Sequence, residues 1–378
     1  MNRSLQYKGR SLPKRASVTV GLILLTLISA GMPFVSYPAV SGCLLVACAV
    51  FLFTVSEKKL PVAILLFAAF TLLSSDGSFA VAALALAIVS GTAILARLLD
   101  VMKLPLAVAV PMLVSVAAAI ITKQLIPSLL PLSFTLPAIS LSYTFKKSER
   151  RVTAICMTSA ALLFTAAVMV LAGLMVSKNG FQLSGFRDFT ESLKSSLAEH
   201  FYAGEIMTPK GESVKIFTER DAKNIASTLV SLIPALIIIS ANAVAFFSQR
   251  LLYNMVLRAG EEKRFTGEMV ALILSPMAGA TFILSFFIST LTALSSDNAL
   301  LTTVFDNIFI ILLPGLAASG IMFKVAKIAH TRRGGWIVVP FALLAFVNIS
   351  AAILLAAGMG AYYSIANPLS AYLRSREE

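Results

Sequence analysis

The chain is poor in the residues that make a wet surface. Charged side chains are 13% of its 378 residues, where a soluble domain carries about 25%, and hydrophobic residues reach 58%. That balance cannot be arranged as a globule in water, so the solvent around most of this chain is expected to be lipid. Chemistry-bearing residues are scarce as well, with 3 cysteines and 2 histidines. Cys43, Cys48 and Cys156 fall inside apolar segments with no C-x-x-C and no paired spacing, which argues against a disulfide framework or a metal site and for buried structural thiols. His200 and His330 stand far apart in polar segments, as ordinary interfacial residues do. No H-E-x-x-H, G-x-S-x-G, phosphate-binding lysine loop or dinucleotide glycine fingerprint occurs. The expectation is a protein that is not an enzyme, with no cofactor and no metal.

Acidic residues are also few, 18 against 31 Lys and Arg, leaving a formal charge of +13. Nucleic-acid binding would need those cations on one soluble face; here they lie in short runs between apolar segments, so no nucleic-acid partner is expected. The apolar runs read as spans near 17–36, 39–55, 60–74, 79–97, 104–122, 125–144, 152–176, 224–250, 268–294, 300–324 and 336–360. Lys14 and Arg15 ahead of the first run imitate a secretory leader ending near Ala30, but the run continues to Val35 and more spans follow, so it is read as a span. The fold class is an all-α polytopic helix bundle of about 10–11 spans.

Positive charge should collect in cytoplasmic loops. About two thirds of the 31 Lys and Arg fall on alternate ends of these spans: Arg3 to Arg15, Lys58 and Lys59, Arg97 and Lys103, Lys146 to Arg151, Arg250 to Arg264, and Lys324 to Arg333. The turns around Asp76 and Asp297 on the other side are acidic. This alternation predicts a multi-pass protein of the cell membrane with its N-terminus in the cytoplasm. The span at 125–144 carries Pro127, Pro131 and Pro137 and is expected to be broken or re-entrant; the alternation still requires it to cross. The tail from Ala361 leaves the last span with Tyr362, Tyr363, Tyr372, Arg374 and Arg376 as an interfacial anchor, on a side the sequence leaves open.

The stretch Thr218 to Arg264 reads as one long helix crossing the bilayer, opened by a capping box of Thr218 with Asp221 and closed at Gly260. Three segments follow: a membrane bundle over 1–176, an extramembrane segment over 177–223 with balanced charge, and a second bundle over 224–378. Within the middle segment, Phe186, Phe189, Leu193, Leu197 and Phe201 recur at helical spacing opposite charged residues. This is an amphipathic helix with Ser184 as its N-cap and Gly204 as its stop, either resting in the interface or docking a partner. Thr208 to Ser213, with Pro209 and Gly211, reads as a turn.

An ionisable group in hydrocarbon is costly unless it faces a cavity or a partner, so intramembrane polar residues are the candidate site. Asp306 lies two turns into its span, beside Asn307 and eight residues before Pro314. Asn242 and Asn348 are amides with apolar flanks. Together, Asp306, Asn307, Asn242 and Asn348 are the expected substrate-binding set, with an interhelical hydrogen bond as the other reading of each amide. Arg97 and Asp100 form a local pair. Small residues four apart, at Ala83, Ala87 and Gly91, Ala241 and Ala245, Ser275 and Gly279, and Gly315 and Ser319, allow close helix packing within this chain or against another membrane subunit.

The run SLIPALIIISANAVAFFSQRLLYNMVLRAG, from Ser231 to Gly260, resembles the bacterial YybS-like membrane proteins, a family with a domain of unknown function. The pattern from Asn307 through PGLAASG to AGMG and Arg374 is similar, as are the charged turn Glu57 to Lys59 and the series Gly91, Arg97, Lys103, Pro105. The chain departs from that look in reading AYYS after the glycines, and in the elements from 125 to 176, which resemble an insertion. The resemblance extends distantly to the substrate-binding subunits of energy-coupling-factor transporters. It implies a bundle like theirs over 1–176, a small-molecule substrate, and a membrane protein partner that energises uptake; the alanine motif by which those subunits dock is not evident in the first span. A transporter-like or substrate-binding membrane protein is therefore the first expectation. A membrane scaffold that recruits partners without transport is the second, and a lipid-modifying enzyme the third.

Overall fold

The computed structural model describes residues 81–123, 129–176, 183–207, 213–258, 272, 274–294, 299–329 and 346–377, with 53, 63–64, 66–68 and 70. The expected span at 17–36, nearly all of those at 39–55 and 60–74, the helix stop at Gly260, Cys43, Cys48 and His330 lie outside the described residues. What is described is helical apart from one short hairpin. In order come α1 (Val81–Val101), α2 (Leu104–Thr122), α3 (Leu130–Ser133), α4 (Thr135–Lys146), α5 (Arg151–Val176) and α6 (Leu183–Tyr202). A hairpin of β1 (Glu205–Met207) and β2 (Ser213–Lys215) is followed by α7 (Glu219–Ser231), α8 (Ile233–Arg258), α9 (Pro276–Leu294), α10 (Ala299–Ala329) and α11 (Ile349–Glu377).

Among the described residues, 6 helices are long and apolar enough to cross a membrane: windows in α1, α2, α5, α8, α10 and α11, with Pro276–Thr292 of α9 slightly shorter. Large apolar side chains such as Leu113, Phe164, Phe287 and Leu291 are exposed along them, which is stable only where lipid takes the place of a protein core. This is a multi-pass membrane protein.

The chain divides into two compact units, Met1–Met169 with Ala241–Val270, and Val170–Ser240 with Ala271–Glu378. Boundaries expected at 176 and 223 thus differ from those observed. The reason lies in α8, whose second half sends Leu252, Met255 and Val256 into the core of the first unit.

In the first unit α1 packs on α4. Gly91 permits this, because a Cβ there would stand 2.5 Å from the ring of Phe134, which is fully buried and tilted against Phe67 at 5.7 Å. The break expected within 125–144 falls at Phe134, between the short α3 and α4. Pro137, three residues on, has no N–H to return to the Ser133 carbonyl. Neither piece is itself long enough to cross, and Pro131, Phe134 and Pro137 are all buried in protein, the condition under which irregular backbone persists at membrane depth. The two pieces nonetheless bring the chain back: Lys146 Nζ donates to the Leu99 carbonyl at 2.9 Å, so the end of α4 returns to the end of α1. Ser248 Oγ of α8 donates to the Val89 carbonyl at 3.2 Å. Cys156, expected to be buried, lies on the exposed face of α5, an apolar face that lipid covers.

In the second unit α9, α10 and α11 form the membrane part. A Cβ on Gly320 would collide with the Ala356 carbonyl oxygen, and one on Gly360 with that of Leu316. Residue numbers rise along α10 as they fall along α11, so the two run antiparallel with backbones in direct apposition. Gly279 of α9 meets the backbone of Ala361. The helix α11 continues to Glu377, so the residues expected as a separate tail from Ala361 extend it. Tyr363 lies stacked on Phe323 at 4.0 Å.

The more polar part of this unit is α6, the hairpin and α7, none of them long and apolar enough to cross a membrane. Helix α6 begins at Leu183, one residue before the expected cap Ser184, and Gly204 follows its end as expected, accepting from Ile216 N–H at 3.1 Å. The expected turn over 208–213 lies outside the described residues except for Ser213; on either side of it two short strands pair, Glu205 opposite Lys215. This small hairpin had no period-two signal long enough to be read.

Candidate functional site

Helices α9 and α10 lie side by side and antiparallel. Asp306 sits seven residues past Ala299, about 10 Å along α10, and its Oδ1 accepts a short hydrogen bond from Ser289 Oγ of α9. One turn further along α10 is Phe309, and one turn back along α9 is Phe286; their rings approach to 5.7 Å. Phe282, another turn along, lies nearly parallel to Phe309 at 4.7 Å. Residues three and four apart share one face of a helix, so the carboxylate, the hydroxyl and three rings occupy the same seam. Asp306, Ser289 and Phe309 are half-buried, Phe286 is 48% exposed and Phe282 is buried.

Asn307 has a different task. The long helix expected from Thr218 is divided at Leu232, because Pro234 has no N–H to donate to the Val230 carbonyl. At this break the Ala235 N–H donates to Asn307 Oδ1 at 3.1 Å, and Asn307 Nδ2 donates to the Ser231 carbonyl at 3.0 Å. In an unbroken helix those two backbone groups would bond to each other. The amide of Asn307 therefore occupies the place of a missing backbone bond, and its second N–H goes to the Thr303 carbonyl at 2.8 Å. Both donors are committed, so Asn307 positions helices and does not reach a ligand with them.

Asn348 is exposed, and its Oδ1 accepts from Ala351 N–H at 3.0 Å, an N-cap for α11. Because α10 and α11 are antiparallel and meet at Leu316 and Gly360, Asp306 and Asn348 lie toward opposite ends of the pair, roughly 33 Å apart along the axes. They share no cavity. Asn242 is half-buried on the part of α8 that belongs to the first unit. Asp306 and Asn307 are neighbours on α10 whose side chains serve different partners, and Asn348 lies toward the other end of the α10–α11 pair. Ser289 and the three phenylalanines were missed, although the i, i+4 spacing of Phe282 and Phe286 was visible in the sequence.

The first unit holds a second polar feature, equally unforeseen. Arg151 is 5% exposed. Its Nε donates to Gln249 Oε1 at 3.1 Å, and its guanidinium lies 4.6 Å from the centre of the Phe246 ring. Arg97 and Asp100, expected as a local pair, meet at 2.6 Å with both side chains buried.

A groove of about 500 Å³ runs between α6 and α7, lined by Glu191, Lys194, Glu199, Tyr202, Glu219 and Lys223 among others. Lys223 bonds Glu219 at 2.6 Å and thereby holds its carboxyl below the usual carboxylate value. Lys215 Nζ lies 3.5 Å from the centre of the Tyr202 ring. Among the described residues, no group of three His, Cys, Asp or Glu side chains is placed to hold a metal ion. Comparison with family models, curated proteins and solved structures found no match.

Proposed function

We propose that this protein is a substrate-binding, transporter-like protein of the cell membrane without enzymatic activity, and that it takes a small molecule at Asp306. The observation that carries this is the setting of that carboxylate: it lies two turns inside an apolar spanning helix, half-buried, with one hydroxyl as its hydrogen-bond partner among the described residues. A charged group inside a spanning helix is costly, by about 2.5–3.5 kcal/mol at the helix centre on the most lenient scale and less toward the ends, and is retained where it meets substrate, ion or partner. Asn307 supports the reading by holding α10 against the α7–α8 break, which keeps Asp306 at a set height. The resemblance to YybS-like proteins, and through them to energy-coupling-factor binding subunits, points the same way. We place the N-terminus and the ends carrying Arg97, Lys146 and Arg258 in the cytoplasm. Cysteines at Lys103 and Lys147 should be labelled from the same side of the membrane; labelling from opposite sides removes this orientation.

Thermal melting of the purified full chain against vitamins, nucleosides, amines and lipid precursors tests the binding reading. A ligand-induced shift lost in Asp306→Asn supports it. A shift that persists in that variant refutes Asp306 as the site. The groove between α6 and α7 favours a second reading, a scaffold that recruits a partner protein there; co-purification of one partner, lost on deleting 183–207, would select it.

A further inference from the structure

The groups around Asp306 also specify what kind of molecule suits them, and this step rests on the binding reading above. No described Lys or Arg pairs with Asp306; its partner is the Ser289 hydroxyl, which is neutral. A molecule that seats against the carboxylate in hydrocarbon is best matched if it brings the missing positive charge. A metal ion is a poor match: Mg²⁺ and Ca²⁺ require about six or more oxygen ligands, and one carboxylate with one hydroxyl falls far short. Beside the carboxylate the seam offers aromatic surface instead. Phe309 stands one turn from Asp306 on α10, and Phe286 one turn from Ser289 on α9, with the two rings 5.7 Å apart. Phe282 backs Phe309 at 4.7 Å and holds that ring in place, while Phe286 keeps 48% of its surface open. A cation is drawn to the face of such rings, and the attraction grows as water is removed. A weakly hydrated alkylated ammonium gains from this; a compact hydrated ion does not.

We infer that the α9–α10 seam is a binding site for an organic cation, an amine or quaternary ammonium, with Asp306 as counter-ion and Phe286 and Phe309 as the surfaces its alkyl groups rest on. The positive nitrogen sits beside Asp306, and the apolar substituents point along the seam toward the rings. Ser289 shares the carboxylate with the incoming cation and so moderates affinity.

The test is equilibrium binding of benzyltrimethylammonium to the full chain in lipid nanodiscs, alongside its neutral carbon isostere, neopentylbenzene. The expected result is saturable binding of the cation, reduced tenfold or more by Asp306→Asn and several-fold by Phe286→Leu or Phe309→Leu, with Ser289→Ala binding as well as the parent or better. Equal binding of the neutral isostere, or cation binding unmoved by these changes, overturns the inference. If Asp306→Asn does not fold, Phe309→Leu decides: unaltered affinity for the cation refutes the site. Uridine and riboflavin serve as neutral polar probes. If one of them shows Asp306-dependent binding while the cation does not, the cation assignment falls and the binding reading stands; if no probe of either class depends on Asp306, both fall.

Discussion

The side chain of Asn307 receives the N–H of Ala235 at 3.1 Å, a backbone group 72 residues away in sequence whose own helix has been opened by Pro234. One amide thus repairs a break in one spanning element and ties another to it. Removing it should leave the half-buried Ser231 carbonyl and the Ala235 N–H without these partners. Leaving a buried polar group unsatisfied costs about 1–3 kcal/mol, so Asn307→Ala is expected to lower the melting temperature of the purified protein. Asn307→Asp should do at least as much harm, since a carboxylate cannot donate to the Ser231 carbonyl. Unchanged melting in both variants would mean that the break needs no external partner.

The glycines of α11 make a paired prediction. Gly360→Ala drives a methyl into the Leu316 carbonyl, and backbone has no rotamer by which to escape, whereas a Cβ on Gly358 meets nothing within 4 Å. The first change is expected to destabilise strongly or to prevent folding. Gly358→Ala should be neutral or stabilising by up to about 1 kcal/mol, the helix-propensity difference. Comparing the two in one melting experiment separates close packing from a general need for glycine.

Arg151 should not tolerate lysine. Its guanidinium lies over the Phe246 ring while its Nε bonds Gln249, and an ammonium reproduces neither the planar stacking nor the fork of donors. Both Arg151→Lys and Gln249→Leu are expected to destabilise the first unit. The double variant should cost less than the sum, because each single change strands the other partner. Strict additivity would show that the pair is not coupled.

A pH effect is expected at the start of α7. The Lys223 ammonium bonded to Glu219 lowers that carboxyl from its ordinary value of 4.5. A carboxylate with a depressed folded pKa adds stability that is present above its unfolded value and lost as pH falls through the folded one. The support that this i, i+4 pair gives the first turn of α7 should therefore hold above about pH 4.5 and fade below. Carbon-13 titration of Glu219 should show its midpoint rising in Lys223→Gln; a midpoint that stays put would assign the shift to something other than Lys223.

Local signals were legible where they depended only on neighbours in sequence. Thr218 caps α7, accepting from Asp221 N–H at 3.2 Å, as the spacing of those residues implied, although Asp221 turns its carboxylate to the Thr218 hydroxyl. The proline-rich element broke near where its prolines stood. The small-residue stripe ending at Gly91 packs this chain against itself, on Phe134. The closest helix apposition was misjudged by one position: the stripe of Gly315 and Ser319 was visible, yet Gly320 is the residue that faces Ala356 and Gly360. In the candidate site, Asp306 was legible as a carboxylate in an apolar run, and Ser289 and Phe309 were not, because nothing in their surroundings sets them apart from lipid-facing residues.

By itself the sequence determined that this chain lives in a membrane, where some of its helices begin or end, such as Leu104–Thr122 and Arg151–Val176, and which carboxylate lies within an apolar run. Those properties follow from composition, capping and charge, all of which act over a few residues. Only the tertiary structure decided that Asn307 closes a break 76 residues away at Ser231, that Arg151 is buried beside Gln249, 98 positions on, and that Asp306 and Asn348 stand far apart. The physical reason is that helices apolar on every side carry no stripe to say which face meets which neighbour, so in lipid that choice falls to shape, small residues and isolated polar groups.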